Sequence, residues 1–213
     1  MANQITTMLF DLDGTILDTN ELIIQSFLHA LEGIVDEGFG PQNIIPRMGI
    51  PLKDQLQHFS GLEDVAHLAL RYREHNNRVH DEYVKLFPNV IEVLQTLVDR
   101  GIQVGVVTTK IRQTTDRGLA FVGLNDYVHS VVTIDDVTHA KPHPEPVLRA
   151  LEELGADPAR TMMIGDSVVD IEAAEAAGVI SVGVAWSLKG EQKLRESGAQ
   201  HIIHDMRDLY KFI

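Results

Sequence analysis

The sequence predicts an α/β fold, a parallel sheet covered by helices on both faces, with a helical segment inserted into it. Three observations predict this. Beyond residue 85, short apolar runs alternate with amphipathic runs of helical period, the pattern of successive βα units. An apolar run near the N-terminus, Thr6-Thr7-Met8-Leu9, leads straight into Phe10-Asp11-Leu12-Asp13-Gly14-Thr15. From about residue 19 to 83 the periodicity is helical and no convincing strand pattern occurs.

Taken in order, Thr6–Leu9 reads as a buried strand. Asp11 and Asp13 follow it two residues apart, and residues two apart in an extended chain point to the same side. Adjacent carboxylates repel unless a cation sits between them. The pair therefore suggests a Mg²⁺ site with one carboxylate free for chemistry. Gly14 permits a sharp turn directly afterwards. The same run resembles the start of a calcium loop, but the remaining ligand positions are missing. Glu21–Gly33 and Glu63–Asp81 carry helical patterns, separated by Gly40-Pro41 and Gly49-Ile50-Pro51. We expect residues 19–83 to form the helical insert, and residues 1–18 with 84–213 to form the sheet-bearing core.

In that core, Asn89–Arg100 reads as a helix with Val90, Val93, Leu94 and Leu97 on one face and Gly101 as its stop. Val104–Thr108 reads as a strand and Arg112–Val122 as a helix. Val128–Val132 is the next strand, and Glu145–Leu154 a helix ending at Gly155. Thr161–Ile164 is a strand, Val168–Ala177 a helix ending at Gly178, Ser181–Val184 a strand, and His201–Ile203 a short last one.

Ligands of parallel α/β sheets bind beyond the carboxyl ends of the strands, and four chemical groups fall there. Asp11, Asp13 and Thr15 follow the first strand. Thr108 and Thr109 end the second, where a hydroxyl and backbone N–H groups suit a phosphate oxygen. Lys141, in Ala140-Lys141-Pro142-His143-Pro144, offers a compact positive charge on a loop stiffened by proline. Asp166 and Asp170 follow the strand Met162-Met163-Ile164. Read singly, these are also a turn, a strand cap, a surface lysine and a helix N-cap. Their common placement at strand ends gives the set its weight.

The chain has 213 residues, 31 acidic against 18 basic, and a formal charge of −13. That balance argues against nucleic acid or an anionic membrane as a partner. An anionic substrate then needs a local basic pocket. Without cysteine no thiol nucleophile exists. Met1-Ala2-Asn3-Gln4 runs directly into the strand with no signal-peptide pattern, so a cytoplasmic location is expected. Oligomeric state is not legible. Among the histidines, His139 and His143 are four apart, but Pro142 argues against a helical metal pair. Trp186, which follows a strand, reads as packing.

With these residues in place, the chain resembles phosphatases of the haloacid dehalogenase superfamily. The resemblance rests on D-L-D-G-T, the strand ending in Thr108, K-P-H-P-E-P and G-D-S-V-V-D, in that order and over essentially the whole length. It implies a Rossmann-like core with a small helical cap inserted after the first motif. Thr19-Asn20-Glu21-Leu22-Ile23-Ile24, Val107-Thr108-Thr109-Lys110-Ile111-Arg112 and Gly183-Val184-Ala185-Trp186 further resemble the PpaX type of pyrophosphatase. That likeness implies pyrophosphate as substrate, formed when serine-phosphorylated HPr is dephosphorylated. A phosphoglycolate phosphatase shares much of the frame and is the alternative. A phosphosugar mutase lacks identifiable shuttle residues here.

The resemblance also implies roles. Asp11 would be the nucleophile, forming an aspartyl-phosphate, and Asp13 the general acid and base. Mg²⁺ would be held by the Asp11 carboxylate, the Asp13 carbonyl and Asp166. Thr108, Thr109 and Lys141 would bind the phosphoryl group. Thr15 would steady Asp13, and Asp170 would orient a metal ligand. Contacts to the leaving group are expected from Asn20, Arg47, Arg73, Asn76, His80, Lys110 and Arg112. Arg47 stands where a more apolar residue is expected.

Overall fold

A computed structural model describes residues 4–213. Met1–Asn3, and with them the start of the expected core segment and most of the N-terminal reading, lie outside the described residues. The main sheet has six strands: β1 (Thr7–Phe10), β4 (Gln103–Val107), β5 (Ser130–Val132), β6 (Thr161–Gly165), β7 (Ile180–Val184) and β8 (His201–Ile203). Their spatial order is β5-β4-β1-β6-β7-β8, and every pairing is parallel. The strand order reverses beside β1, so its carboxyl end opens on the crevice where such sheets bind ligands. All four β1 residues are buried, which explains why it reads as an uninterrupted apolar run.

Side chains alternate across the sheet. Met8 and Phe10 join Val104, Val106, Met162 and Ile164 against Val90, Val93, Leu94 and Leu97 of helix α5 (Val90–Asp99). Leu9, Val107, Val132 and Met163 face the other way, against α7 (Glu145–Leu154) and α8 (Val168–Ala177). Helix α6 (Arg112–Phe121) follows β4, and a short α9 (Glu191–Glu196) precedes β8.

Between β1 and α5 lie α1 (Asn20–Leu31), α2 (Pro41–Ile44), α3 (Leu52–Ser60) and α4 (Ala66–Tyr83). They bury a cluster of their own: Ile24, Phe27, Leu31, Ile44, Met48, Leu56, Val65 and Leu68. The chain enters and leaves this segment through two short antiparallel strands, β2 (Leu17–Asp18) and β3 (Lys85–Leu86). The sequence pattern does not anticipate them, because two residues carry no readable period. Nor does it mark α3, in which only Gln55 and Leu56 are buried, or α9. β1 is also displaced from the expected span by one residue, because Phe10 still pairs with Val106 and Ile164. None of the described helices is long and apolar enough to cross a membrane.

Candidate active site

Asp11 sits one residue past β1, and its N–H donates to the Ile164 carbonyl at 2.8 Å. The ladder thus continues one step, then releases the chain. Gly14, at φ +88°, turns it sharply, and a Cβ there would lie 2.8 Å from the Asp166 carboxylate. Only glycine lets the loop after β1 and the end of β6 approach this closely.

Lys141 lies beneath Asp11 with its side chain 1% exposed. Its Nζ donates to Asp11 Oδ1 at 2.7 Å, to Asp170 Oδ1 at 2.6 Å and to the Val107 carbonyl at 2.8 Å. Three protons meet three acceptors, so the ammonium has no donor left for another group. The second Asp170 oxygen accepts from the Ser167 N–H and hydroxyl at 3.0 and 2.8 Å. A Cβ on Gly165 would collide with the Asp170 side chain, so that carboxylate is wedged against the end of β6.

Removal from water pushes Asp11 up to about 8, with Lys141 opposing and Asp170 and Asp166 reinforcing the rise. Burial likewise raises Asp166, against the pull of Lys189. Lys141 moves up despite its burial, because Asp11 and Asp170 hold it cationic.

Asp11, Asp166 and Asp170 present carboxylate oxygens within 4.8 Å of one another. Asp170 is saturated by Lys141 and Ser167, whereas Asp11 and Asp166 each keep one oxygen free of hydrogen bonds. Two buried, partly free carboxylates fit a hard divalent cation that keeps several waters.

Asp13 projects into the same region. Its Oδ1 accepts from Thr19 Oγ1 at 2.7 Å and from Lys110 Nζ at 2.9 Å. Thr15, the expected support, has a buried hydroxyl with no partner. Thr19 replaces it, because the turn at Gly14 and the bridge between Asp13 and Leu17 bring the chain back on itself. Thr108 is buried, and its Oγ1 accepts from the Lys110 N–H at 3.2 Å. Thr109 reaches the helical segment, donating to the Gly49 carbonyl at 3.0 Å.

A cavity of about 870 Å³, open to solvent, lies between the strand ends and the helical segment. Asp11, Asp13, Thr108, Thr109, Lys110 and Asp166 line its floor, and Arg73 and Asn76 of α4 its opposite wall. Four expected contacts lie elsewhere. Arg47 is exposed on a short 3₁₀ turn. Arg112 is taken up by Asp136 and the Val131 carbonyl. His80 is buried against Phe121, with Nδ1 on Asp81. Asn20 does not reach the cavity, and its Oδ1 is buried without a partner.

Three lining groups carry no motif signal. Lys189 Nζ donates to Asp166 Oδ2 at 2.7 Å. Tyr72 lines the cavity with its phenol held protonated by burial and by Asp13. Gln55, 5% exposed, leaves Oε1 unpaired. His139 and His143 are exposed, with His139 Nδ1 on Glu145, and the three present potential ligand atoms within 4.8 Å of one another.

Comparison with known proteins agrees with this geometry. The haloacid dehalogenase-like hydrolase family matches residues 8–184. This chain belongs to that family. It is an enzyme of the phosphohydrolase type found there. It is 42% identical over 208 residues to the pyrophosphatase PpaX of Bacillus velezensis, covering 97% of this chain and 95% of that protein. It is 41% identical over 209 residues to the PpaX of Anoxybacillus flavithermus, covering 98% and 97%. The crystal structure of a haloacid dehalogenase-like hydrolase from Bacteroides fragilis superposes with a TM-score of 0.87 at 30% identity, covering 97% of this chain and 100% of that one.

Proposed function

We propose that this chain hydrolyses inorganic pyrophosphate to phosphate, with Mg²⁺ and through an aspartyl-phosphate on Asp11. The substrate reading is carried by one observation, the 42% identity to a protein named pyrophosphatase across 97% of this chain. The strand-end chemistry supports the route. In this reading the Asp11 carboxylate attacks phosphorus while the bond to the leaving phosphate breaks. Asp13, held by Thr19 and Lys110, gives the leaving oxygen its proton. Asp13 then takes a proton from water, which attacks the phosphoenzyme, releases phosphate and restores Asp11. Splitting one displacement into two lowers each barrier, and such proton transfers are each worth roughly 10²–10⁴-fold.

Asp11, Asp166 and the Asp13 carbonyl would hold the Mg²⁺, which when bound offsets phosphoryl charge. Asp170 holds Lys141 and Ser167 in place. Lys141 has its protons committed, so it acts on the phosphoryl group by charge and by orienting Asp11. Thr108 and Thr109 would contact the transferred phosphoryl oxygens, and Arg73, Asn76 and Lys110 the departing phosphate. Residues 19–83 would act as a cap closing over residues 1–18 and 84–213. The pyrophosphate would come from dephosphorylation of serine-phosphorylated HPr in the cytoplasm.

A second reading, hydrolysis of a small phosphate monoester such as phosphoglycolate, is favoured by the apolar part of the cavity wall: Ile23, Phe27, Met48, Ile50 and Leu52. Phosphate release from pyrophosphate, phosphoglycolate and sugar phosphates, with and without Mg²⁺, separates the two. We expect pyrophosphate to lead in kcat/KM by at least about tenfold, a difference of about 1.4 kcal/mol in transition-state binding. Asp11→Asn is expected to abolish turnover. Monoester turnover equal to or faster than that of pyrophosphate would overturn the substrate assignment.

A further inference from the structure

The loop after β7 wraps Asp166 twice. Ser187 Oγ donates to the Asp166 carbonyl at 2.6 Å, and the Lys189 N–H donates to Ser187 Oγ at 3.1 Å. The loop then returns Lys189 Nζ to Asp166 Oδ2 at 2.7 Å, with both side chains 5% exposed. A buried ion pair of this kind needs a reason, since desolvating both charges offsets most of their attraction. Nothing in the hydrolytic sequence uses Lys189. Its partner is one of the two carboxylates with an oxygen left for a metal, and Lys189 itself lines the cavity.

We propose that Lys189 is a positioning residue that holds the Asp166 carboxylate in place until a divalent metal displaces its ammonium into the cavity. The inference rests on the metal-binding part of the proposed function and is independent of the choice of substrate. Charge makes the case. Asp11, Asp166 and Asp170 carry three potential negative charges, and Lys141 and Lys189 two positive ones. Lys141 is committed to Asp11, Asp170 and Val107. Lys189 also sits on a carboxylate that a metal would need, and unlike Lys141 it lines the cavity. A dication arriving at Asp166 replaces a single charge by a double one and repels the ammonium. Because the displaced group lies at the cavity wall, it can move without opening the core. In the metal-free protein the same ammonium prevents an unpaired carboxylate from being buried, which would be strongly destabilising.

A purely structural lysine and a displaceable one respond oppositely to loss of charge. Isothermal titration of Mg²⁺ into the full chain at about pH 8.5, where protons compete least for carboxylates, distinguishes them. In Lys189→Met and Lys189→Gln we expect Mg²⁺ to bind about tenfold tighter or more, while Lys189→Arg stays within about threefold of wild type. Without metal, both neutral variants are expected to melt lower than wild type, and saturating Mg²⁺ to raise their Tm by more than it raises that of wild type. Unchanged or weaker Mg²⁺ binding in the neutral variants overturns the inference. Absence of Mg²⁺ binding in every protein, wild type included, would instead remove the metal reading on which it rests.

Discussion

Asp11 and Asp166 titrate in the sense opposite to the surface acids, and the sign has a consequence for stability. Unfolded carboxylates lose their protons near pH ~4. In the folded chain without metal, burial raises both groups. Above the unfolded value the native state therefore binds more protons than the unfolded state, and stability falls as pH rises. Asp136, Asp205 and Asp208 are lowered by hydrogen bonds and cationic neighbours. Their contribution is present above the unfolded value and is lost only in more acidic solution. Metal-free protein should thus lose Tm between about pH 7 and about pH 8, above the range in which the burial-lowered His75 and His80 add stability as pH rises. Asp11→Asn, which cannot ionise, should flatten that slope. A Tm that holds or rises across this window would contradict the burial argument.

Among the elements, the loop between the 3₁₀ turn at Ile45–Arg47 and α3 joins the helical segment to the end of β4. Its Gly49 has φ +101°, and a Cβ there would meet Ser167 Oγ at 2.7 Å. Its carbonyl accepts from Thr109, while Gln55 holds the neighbouring Ile50 carbonyl at 2.8 Å. Gly49→Ala adds backbone strain of about 1–2 kcal/mol and a clash on the core side, so it should open the contact rather than unfold the sheet. We expect kcat/KM to fall about tenfold, equivalent to about 1.4 kcal/mol, with the far-UV spectrum unchanged. Wild-type kinetics in this variant would remove the loop from catalysis. The repeating elements were legible for a physical reason: buried parallel strands are short apolar runs, and glycines end the helices between them. Groups placed by turns were not. Thr19 reaches Asp13 only through the turn at Gly14, and Lys189 reaches Asp166 from a loop with no motif. His80 shares a helical period with Arg73 and Asn76, which makes it look like a cavity residue. It lies a turn further along α4, beneath α6 and against Phe121.

At the scale of the whole molecule, the helical segment has a hydrophobic cluster separate from both faces of the sheet. The β2–β3 pair carries both of its covalent connections side by side. If the segment is the cap that we propose, its stability should be separable from that of the sheet, because its own cluster is distinct and, among the described residues, only Leu22, Val79 and Tyr83 of its helices pack with the sheet cluster. Phe27 tests this directly. It is 1% exposed, with its ring 4.8 Å from that of Tyr72 and 5.4 Å from that of Phe59. All three belong to the helical segment, and Phe27 also lines the cavity. Truncating a buried phenylalanine to alanine costs about 3–5 kcal/mol. In a single cooperative unit that loss would accelerate exchange of every slow amide equally. In a two-part molecule it falls on α1–α4, while β1, β4 and β6 keep their protection. Hydrogen exchange on Phe27→Ala should show the second pattern, with amides of α1 and α4 exchanging faster by two orders of magnitude or more, about 2.7 kcal/mol. Uniform acceleration across the sheet and helices would make the segment part of one cooperative fold, and a cap moving independently over Asp11 and Asp13 would then have no energetic basis.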